Sequence, residues 1–282
     1  MKTIYLFISL ISITTLSLHG QDKAKNNSCF PRQEIQVKEM PPKDQTWVFV
    51  LAGQSNMAGR GTVEPTDTIP NTRIITLNAQ NEWIYAKEPL HYYEPTLKGT
   101  GCGLSFAREL LRQIAPEIHI VLLPCAVGGS PIERWLDDAL YRGIHLQSNL
   151  KEKINCGKQI GILKAVLWHQ GESNADSIRF PHYKKDLKTM YNLIRRYADN
   201  EHLPILTGHL GCYAVPDKKA LQWKQLNRII SEVVNEDGYA WLIETSDLTC
   251  NLDRIHFDAA SQRLLGIRFA NLFLKTTSKK QN

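Results

Sequence analysis

The stretch Trp47-Val48-Phe49-Val50-Leu51-Ala52 runs directly into Gly53-Gln54-Ser55-Asn56-Met57-Ala58-Gly59. A short, unbroken apolar and aromatic run of this kind predicts a strand buried on both faces. At its carboxyl end the chain presents a serine between glycines. In parallel α/β sheets the carboxyl ends of strands are where ligands bind. Near the other terminus lies Asp253-Arg254-Ile255-His256. A serine first, then an acid and a histidine close together and late, supplies a nucleophile, an orienter and a base.

Downstream of Trp47 the pattern alternates. Strands are expected at Val48–Ala52, His119–Leu123, Ala165–Trp168, Ile205–Gly208 and Ala240–Ile243. Amphipathic helices are expected at Leu104–Ile114, Tyr183–Tyr197, Ala220–Asn235 and Ala260–Leu274. The last carries Leu264, Leu265, Ile267, Phe269, Leu272 and Phe273 at helical spacing. Strands separated by helices predict a mainly parallel sheet covered on both faces. One insertion, Thr72–Leu77 and Glu82–Ala86 around Asn78-Ala79-Gln80-Asn81, reads as a hairpin.

Three further stretches join the serine block: Gly101-Cys102-Gly103-Leu104-Ser105-Phe106-Ala107, Trp168-His169-Gln170-Gly171-Glu172-Ser173 and Asp253-Arg254-Ile255-His256-Phe257-Asp258. In this order, across residues 47 to 272, they resemble the SGNH hydrolases, in the branch of carbohydrate esterase family 6 and the sialate O-acetylesterases. The resemblance implies a flavodoxin-like three-layer α/β/α sandwich and a serine esterase that removes O-acetyl groups from a sugar. It leaves the sugar open, acetylated xylan and sialic acid among others.

Ser55 is the candidate nucleophile. It could also be a turn or helix-cap serine, and both roles can hold at once: a helix start there would aim free backbone N–H groups at a developing oxyanion. The Gly-x-Ser-x-Gly elbow of α/β-hydrolases is absent, since Met57 holds the last glycine position. His256 is the candidate base and Asp253 its orienter. Asp258 is the rival orienter and is read as the cap of the terminal helix. The resemblance implies an oxyanion hole of the Ser55 and Gly103 N–H groups, with Gly101 a close rival, and the Gln170 amide. The family's usual residue at the Gln170 position is asparagine, one methylene shorter. Gln54, Asn56, Glu172 and Trp135 are candidates for substrate contact or support of the site, and Trp135 reads at least as well as a core tryptophan as it does as a stacking face for a sugar. Glu172 could equally orient Gln170 or His256, bind sugar, or serve as a buried acceptor. His169 reads as a packed strand-end residue. Ala126–Trp135 follows a strand end and is expected to line the cleft.

A glycosidase built on Glu172 and Asp176, or a glycan-binding protein without turnover, are the competing readings. No Cys-x-x-Cys or His-Glu-x-x-His occurs, and Gly99-x-Gly101-x-Gly103 is not a dinucleotide fingerprint, so no metal and no cofactor are expected. The net charge of +6 is spread through the chain, which argues against a nucleic-acid partner. The expected partner is an acetylated oligo- or polysaccharide.

Residues 1–20 read as a signal peptide: Lys2, then a mostly apolar Ile4–Leu18, too short and too diluted by Ser and Thr for a membrane anchor. Residues 21–46 read as a lead-in arm, and 47–282 as one catalytic domain. The protein is therefore expected to be exported, periplasmic or secreted. Six cysteines are compatible with disulfides there, in no pairing the spacing reveals.

Overall fold

A computed structural model describes residues 33–214 and 217–278. The proposed leader lies outside them. The central sheet has seven strands in the order β3-β2-β4-β1-β7-β8-β9. In chain order these are β1 (Thr46–Gly53), β2 (Ile74–Leu77), β3 (Trp83–Tyr85), β4 (His119–Pro124), β7 (Ile162–His169), β8 (Ile205–Gly208) and β9 (Ala240–Ile243). A two-residue ribbon, β5 (Leu140–Tyr141) with β6 (Ile144–His145), stands apart.

All neighbours in the large sheet are parallel except β3, which returns antiparallel along β2. Setting the β2–β3 insertion aside leaves β4-β1-β7-β8-β9. That is the flavodoxin-like 2-1-3-4-5 order, whose switch point lies beside the first strand. The expected hairpin is therefore present, and it extends the sheet beyond β4. The lead-in arm ends against this edge: Gln36 bridges Ile84, and the Val37 N–H donates to the Trp83 carbonyl at 2.9 Å.

β1 shows why the opening run of residues specifies a central strand. Side chains alternate between faces along a strand. Val48, Val50 and Ala52 enter one core, under α3 (Ile132–Leu136), α4 (Leu146–Ile160), α5 (Phe180–Ala198) and α6 (Asp217–Glu236). Phe49 and Leu51 enter the other, under α2 (Gly103–Leu111) and α7 (Ala259–Ser278). Phe49 meets Phe106 and Phe273 edge to face, with ring centroids 4.8 and 5.1 Å away. Both faces are dry, so the run is continuous rather than alternating. Burying a side chain such as Leu51 contributes about 1.5–3 kcal/mol.

The strand stops where glycine is needed. Gly53 has φ +131°, and a Cβ there would lie 2.1 Å from the His169 carbonyl oxygen. Only a residue without a side chain lets β1 turn this close to β7. The turn delivers Ser55 to the start of the one-turn helix α1 (Ser55–Ala58). Among the described residues, no helix is long and apolar enough to cross a membrane.

Candidate active site

The site is assembled from the carboxyl ends of β1, β4 and β7 and the loop that precedes α7. In that loop Arg254 adopts a left-handed backbone, φ +56°, and folds the segment onto itself. Asp253 Oδ1 accepts the amides of Ile255 and His256 at 2.9 and 3.0 Å, and its Oδ2 accepts His256 Nδ1 at 2.7 Å. The far nitrogen, Nε2, lies 2.9 Å from Ser55 Oγ. A proton on Nδ1, held by Asp253, leaves Nε2 bare to take the hydroxyl proton. Burial pushes the Asp253 carboxyl up, but hydrogen bonds from the His256 ring and from the His256 and Ile255 amides outweigh it. The carboxyl is held below its ordinary range. It therefore stays an anion while the imidazole is charged. Asp258 stands elsewhere: its Oδ1 accepts the Ser261 amide at 2.8 Å and caps α7.

On the opposite side of Ser55 the polar groups are locked. Gln54 Oε1 accepts three donors, Gln170 Nε2, the Gly171 amide and the Ser173 amide, each at 3.3 Å. Three donors on one oxygen fix the orientation of the amide. Its Nε2 is thereby turned away from them and meets no acceptor among the described residues. Gln170 is 1% exposed, and its Nε2 also reaches the Ser130 carbonyl at 3.2 Å and Asn174 Oδ1 at 2.6 Å. Tyr183 donates to Gln170 Oε1 at 3.0 Å. The loop after β4 is bound just as closely. The Val127 amide donates to the Gly53 carbonyl, the Gly128 amide to Glu94, and the Ser130 amide to the Val127 carbonyl. Gly129, at φ +71°, has no acceptor for its N–H among the described residues. The Ser55 N–H is likewise free at the start of α1. A hydroxyl with a base and a braced acid, beside open N–H groups, can attack a carbonyl and hold the oxygen that becomes charged.

Residues 45–275 match the family described as carbohydrate esterase, sialic acid-specific acetylesterase. The chain belongs to that family. It is 31% identical over 280 residues to the probable carbohydrate esterase At4g34215 of Arabidopsis thaliana, covering 90% of this chain and 95% of that one. The crystal structure of the Arabidopsis thaliana protein superposes with a TM-score of 0.71 at 26% identity, over 83% of this chain and 99% of that one. The structure of NanS shares the fold with a TM-score of 0.67 at 17% identity, over 86% of this chain and all of that one. A carbohydrate acetylesterase from Xanthomonas citri shares it with a TM-score of 0.59 at 19% identity, over 80% and 55%. The protein is thus a carbohydrate esterase, a carboxylic ester hydrolase, as the sequence blocks imply.

Within this carbohydrate esterase two expected positions change meaning, and one open alternative closes. Gly103 opens α2 as a packing glycine: a Cβ there would strike the Leu51 and Leu90 side chains at 2.6 and 2.8 Å. Its rival Gly101 gives its N–H to Glu88, whose carboxyl burial pushes up to about 8. Gly129, in the loop after β4 whose Val127 amide donates to the Gly53 carbonyl at the end of β1, is the glycine whose amide lies on the Ser55 side of the sheet. Gln170 is the second correction. Its two amide hydrogens face three internal acceptors, so it braces Gln54 and has no free donor for an oxyanion. At Trp135 the core alternative holds. The side chain is fully buried, packs edge-on against Trp168 and donates to Ser130 Oγ at 3.0 Å, so it offers no face to a sugar.

The carboxylates of the glycosidase reading are occupied separately. Glu172 accepts from Asn56 Nδ2 at 2.5 Å, and Asp176 caps the turn before α5 through the Ile178 and Arg179 amides. His169 is buried and edge-on to Phe257, the packed residue that was expected. Its nearest acid, unnoticed in the sequence, is Glu172 at 3.9 Å. The five described cysteines, Cys102, Cys125, Cys156, Cys212 and Cys250, are all unpaired.

Proposed function

We propose that the protein removes O-acetyl groups from acetylated oligo- or polysaccharides through an acetyl-enzyme on Ser55. The observation that carries this reading is the continuous chain Ser55 Oγ to His256 Nε2 at 2.9 Å and His256 Nδ1 to Asp253 Oδ2 at 2.7 Å. Ser55 Oγ attacks the acetyl carbonyl as its proton passes to His256. The tetrahedral oxyanion is met by the Ser55 and Gly129 N–H groups and by Gln54 Nε2. The imidazolium then protonates the departing sugar oxygen. Water, deprotonated by His256, attacks the acetyl group and frees Ser55 with release of acetate. Sialosides and acetylated xylans are both within this class of substrate, and acetate release across a panel of them ranks the two.

Ser55→Ala tests the mechanism. It is expected to fold as the wild type does and to release no acetate above background, measured by an acetate assay on one soluble acetyl ester. Near wild-type release from the purified variant would overturn the assignment of the nucleophile. We further propose that the enzyme is exported. The support is Lys2 followed by the apolar Ile4–Leu18, upstream of the described residues. Amino-terminal sequencing of the protein from its own cells is expected to begin beyond that stretch. Intact Met1 in the cytoplasmic fraction would refute export.

A further inference from the structure

Glu172 takes no part in the steps above, yet its side chain is only 5% exposed. Its Oε1 accepts Asn56 Nδ2 at 2.5 Å. Its Oε2 is buried and has no partner among the described residues. Asn56 in turn grips the backbone on both sides of the base. Its Oδ1 accepts the Phe257 amide at 3.0 Å, and its Nδ2 reaches the Ile255 carbonyl at 3.3 Å. Gln262 Nε2 holds the Asn56 carbonyl from α7 at 2.9 Å.

An asparagine amide can sit in either of two orientations of the same shape. Here the wrong one would turn the NH2 toward the Phe257 N–H and the oxygen toward a carboxylate. With the Phe257 N–H taking the Asn56 oxygen, and Glu172 Oε1 and the Ile255 carbonyl receiving its NH2, the contacts on both sides select one orientation. The neighbouring histidine does not alter this. His169 Nε2 faces the His209 carbonyl at 3.1 Å and so carries the ring proton. Burial lowers its pKa and keeps it neutral. Its bare Nδ1 has no hydrogen to give Glu172. The carboxylate's hydrogen-bonding is thus directed to Asn56, and that of Asn56 to Ile255 and Phe257.

We propose that Glu172 is a positioning residue for His256: by fixing the Asn56 amide, it sets the backbone of residues 255–257 and with it the approach of Nε2 to Ser55. This rests on the reading of Ser55 and His256 as nucleophile and base. A direct role on the imidazole is closed, because Asp253 already occupies Nδ1. A role as sugar ligand or acid would need an exposed oxygen, and the unpartnered one is buried.

The test separates the oxygen from the charge. Glu172→Gln keeps an accepting oxygen for Asn56, and Glu172→Met removes it at similar length. With a soluble acetyl ester, Glu172→Met should lower kcat by about tenfold to a hundredfold, the scale of a small misplacement of a reacting group, with KM within about twofold. Glu172→Gln should recover most of that loss. Combining Glu172→Met with Asn56→Ala should be no worse than the more damaging single change, since both break one linkage. A raised KM with kcat intact would make Glu172 a substrate contact and overturn the proposal. So would a Glu172→Gln as impaired as Glu172→Met, which would mean that the charge itself is required. Ser55→Ala, assayed alongside, reports on the underlying esterase reading. Full activity in that variant would remove the nucleophile whatever the Glu172 variants did.

Discussion

Ser55 sits between two flanks of different construction. Toward β4 and β7 lies a lattice of buried amides, with Gln54, Gln170, Asn174 and Ser130 each at or below 2% exposure. Toward α7 lies the turn that carries the proposed base, with the His256 side chain 20% and the Asp253 side chain 45% exposed. The lattice is held by side chains and backbone from three strand ends. The turn is held by short-range bonds around residues 249–258 and by longer ties, among them Asn56, Asn251 Nδ2 to the Arg60 carbonyl at 2.9 Å, and Tyr213, whose hydroxyl reaches the Ile255 carbonyl at 3.3 Å. The difference follows the work of each flank. Donors aimed at a developing charge are most effective when they need not reorganise. A base must take up a proton, pass it on and admit water, which needs access. Stiffness is invested on one side and exposure on the other.

The exposed flank should give the largest loss when broken. Asp253→Asn keeps the shape of the turn but deprives the imidazolium of its anion and disturbs the tautomer. In serine hydrolases of this design such a change costs about ten-thousandfold in kcat. Asp258→Asn, nearby in sequence, should leave turnover nearly intact, because Asp258 serves α7. Steady-state kinetics on the pair decides, and equal losses would blur the separation. Asp253 also gives the flank a pH signature. Its folded pKa lies below its unfolded one. Its contribution to stability is therefore present above the unfolded value, near about 4, and is lost as the pH falls through the folded value. The stability gap between wild type and Asp253→Asn should narrow on acidification through that window, as read by denaturant melts at a series of pH values.

The lattice should respond differently. Gln54→Glu keeps an oxygen for the three internal donors but replaces the free NH2 with a second oxygen. The expected loss is about a hundred- to a thousandfold in kcat, with KM little changed, since the carbonyl oxygen gains charge only in the transition state. Gln170→Ala should lower both kcat and thermal stability, because it leaves Asn174 and Tyr183 short of partners inside the protein. If Gln170→Ala lowered kcat alone, as strongly as Gln54→Glu, the donor would be Gln170 after all.

The same contrast governs what was legible in the sequence. β1, Ser55 and the Asp253–His256 turn are local: a run of apolar residues and a spacing of three carry them. The lattice is not local. Gln54 and Gln170 are 116 residues apart, and nothing in either neighbourhood says that one amide spends its hydrogens on the other. Gly103 and Gly129 look alike as letters. Only their surroundings separate them: the Leu51 and Leu90 side chains crowd the one, and the other lies in the loop tied to the end of β1. Helix α4 was missed although Leu146, Leu150 and Ile154 recur every four residues, because Gln147, Ser148 and Asn149 and the interior Gly157 dilute the pattern. That glycine is there because α4 lies close on β1: a Cβ would meet Val48 at 2.8 Å.

The smallest expected effect lies at the edge of the lattice, at Trp135. An aromatic residue in a loop beside a carbohydrate site invites a stacking role, which the burial of this one contradicts. Its ring packs on Trp168, and its Nε1–H is the donor to Ser130 Oγ, which in turn reaches the Val127 carbonyl at 2.8 Å. Trp135→Phe removes that one donor and part of the ring volume. The loss of the hydrogen bond costs about 1 kcal/mol, with a further contribution of similar size for the space left behind. In a domain of this size that is a fall in Tm of a few degrees, on the order of 4–8 °C. Turnover should change little, because Ser130 keeps its bonds to the backbone, and KM should not change at all. A stacking platform would behave in the opposite way, with KM raised for long acetylated oligosaccharides, an aryl acetate unaffected and Tm preserved. Thermal melts and the two substrates, measured on the same preparation, therefore report whether the rigid flank of Ser55 ends at Trp135 or continues into the binding surface.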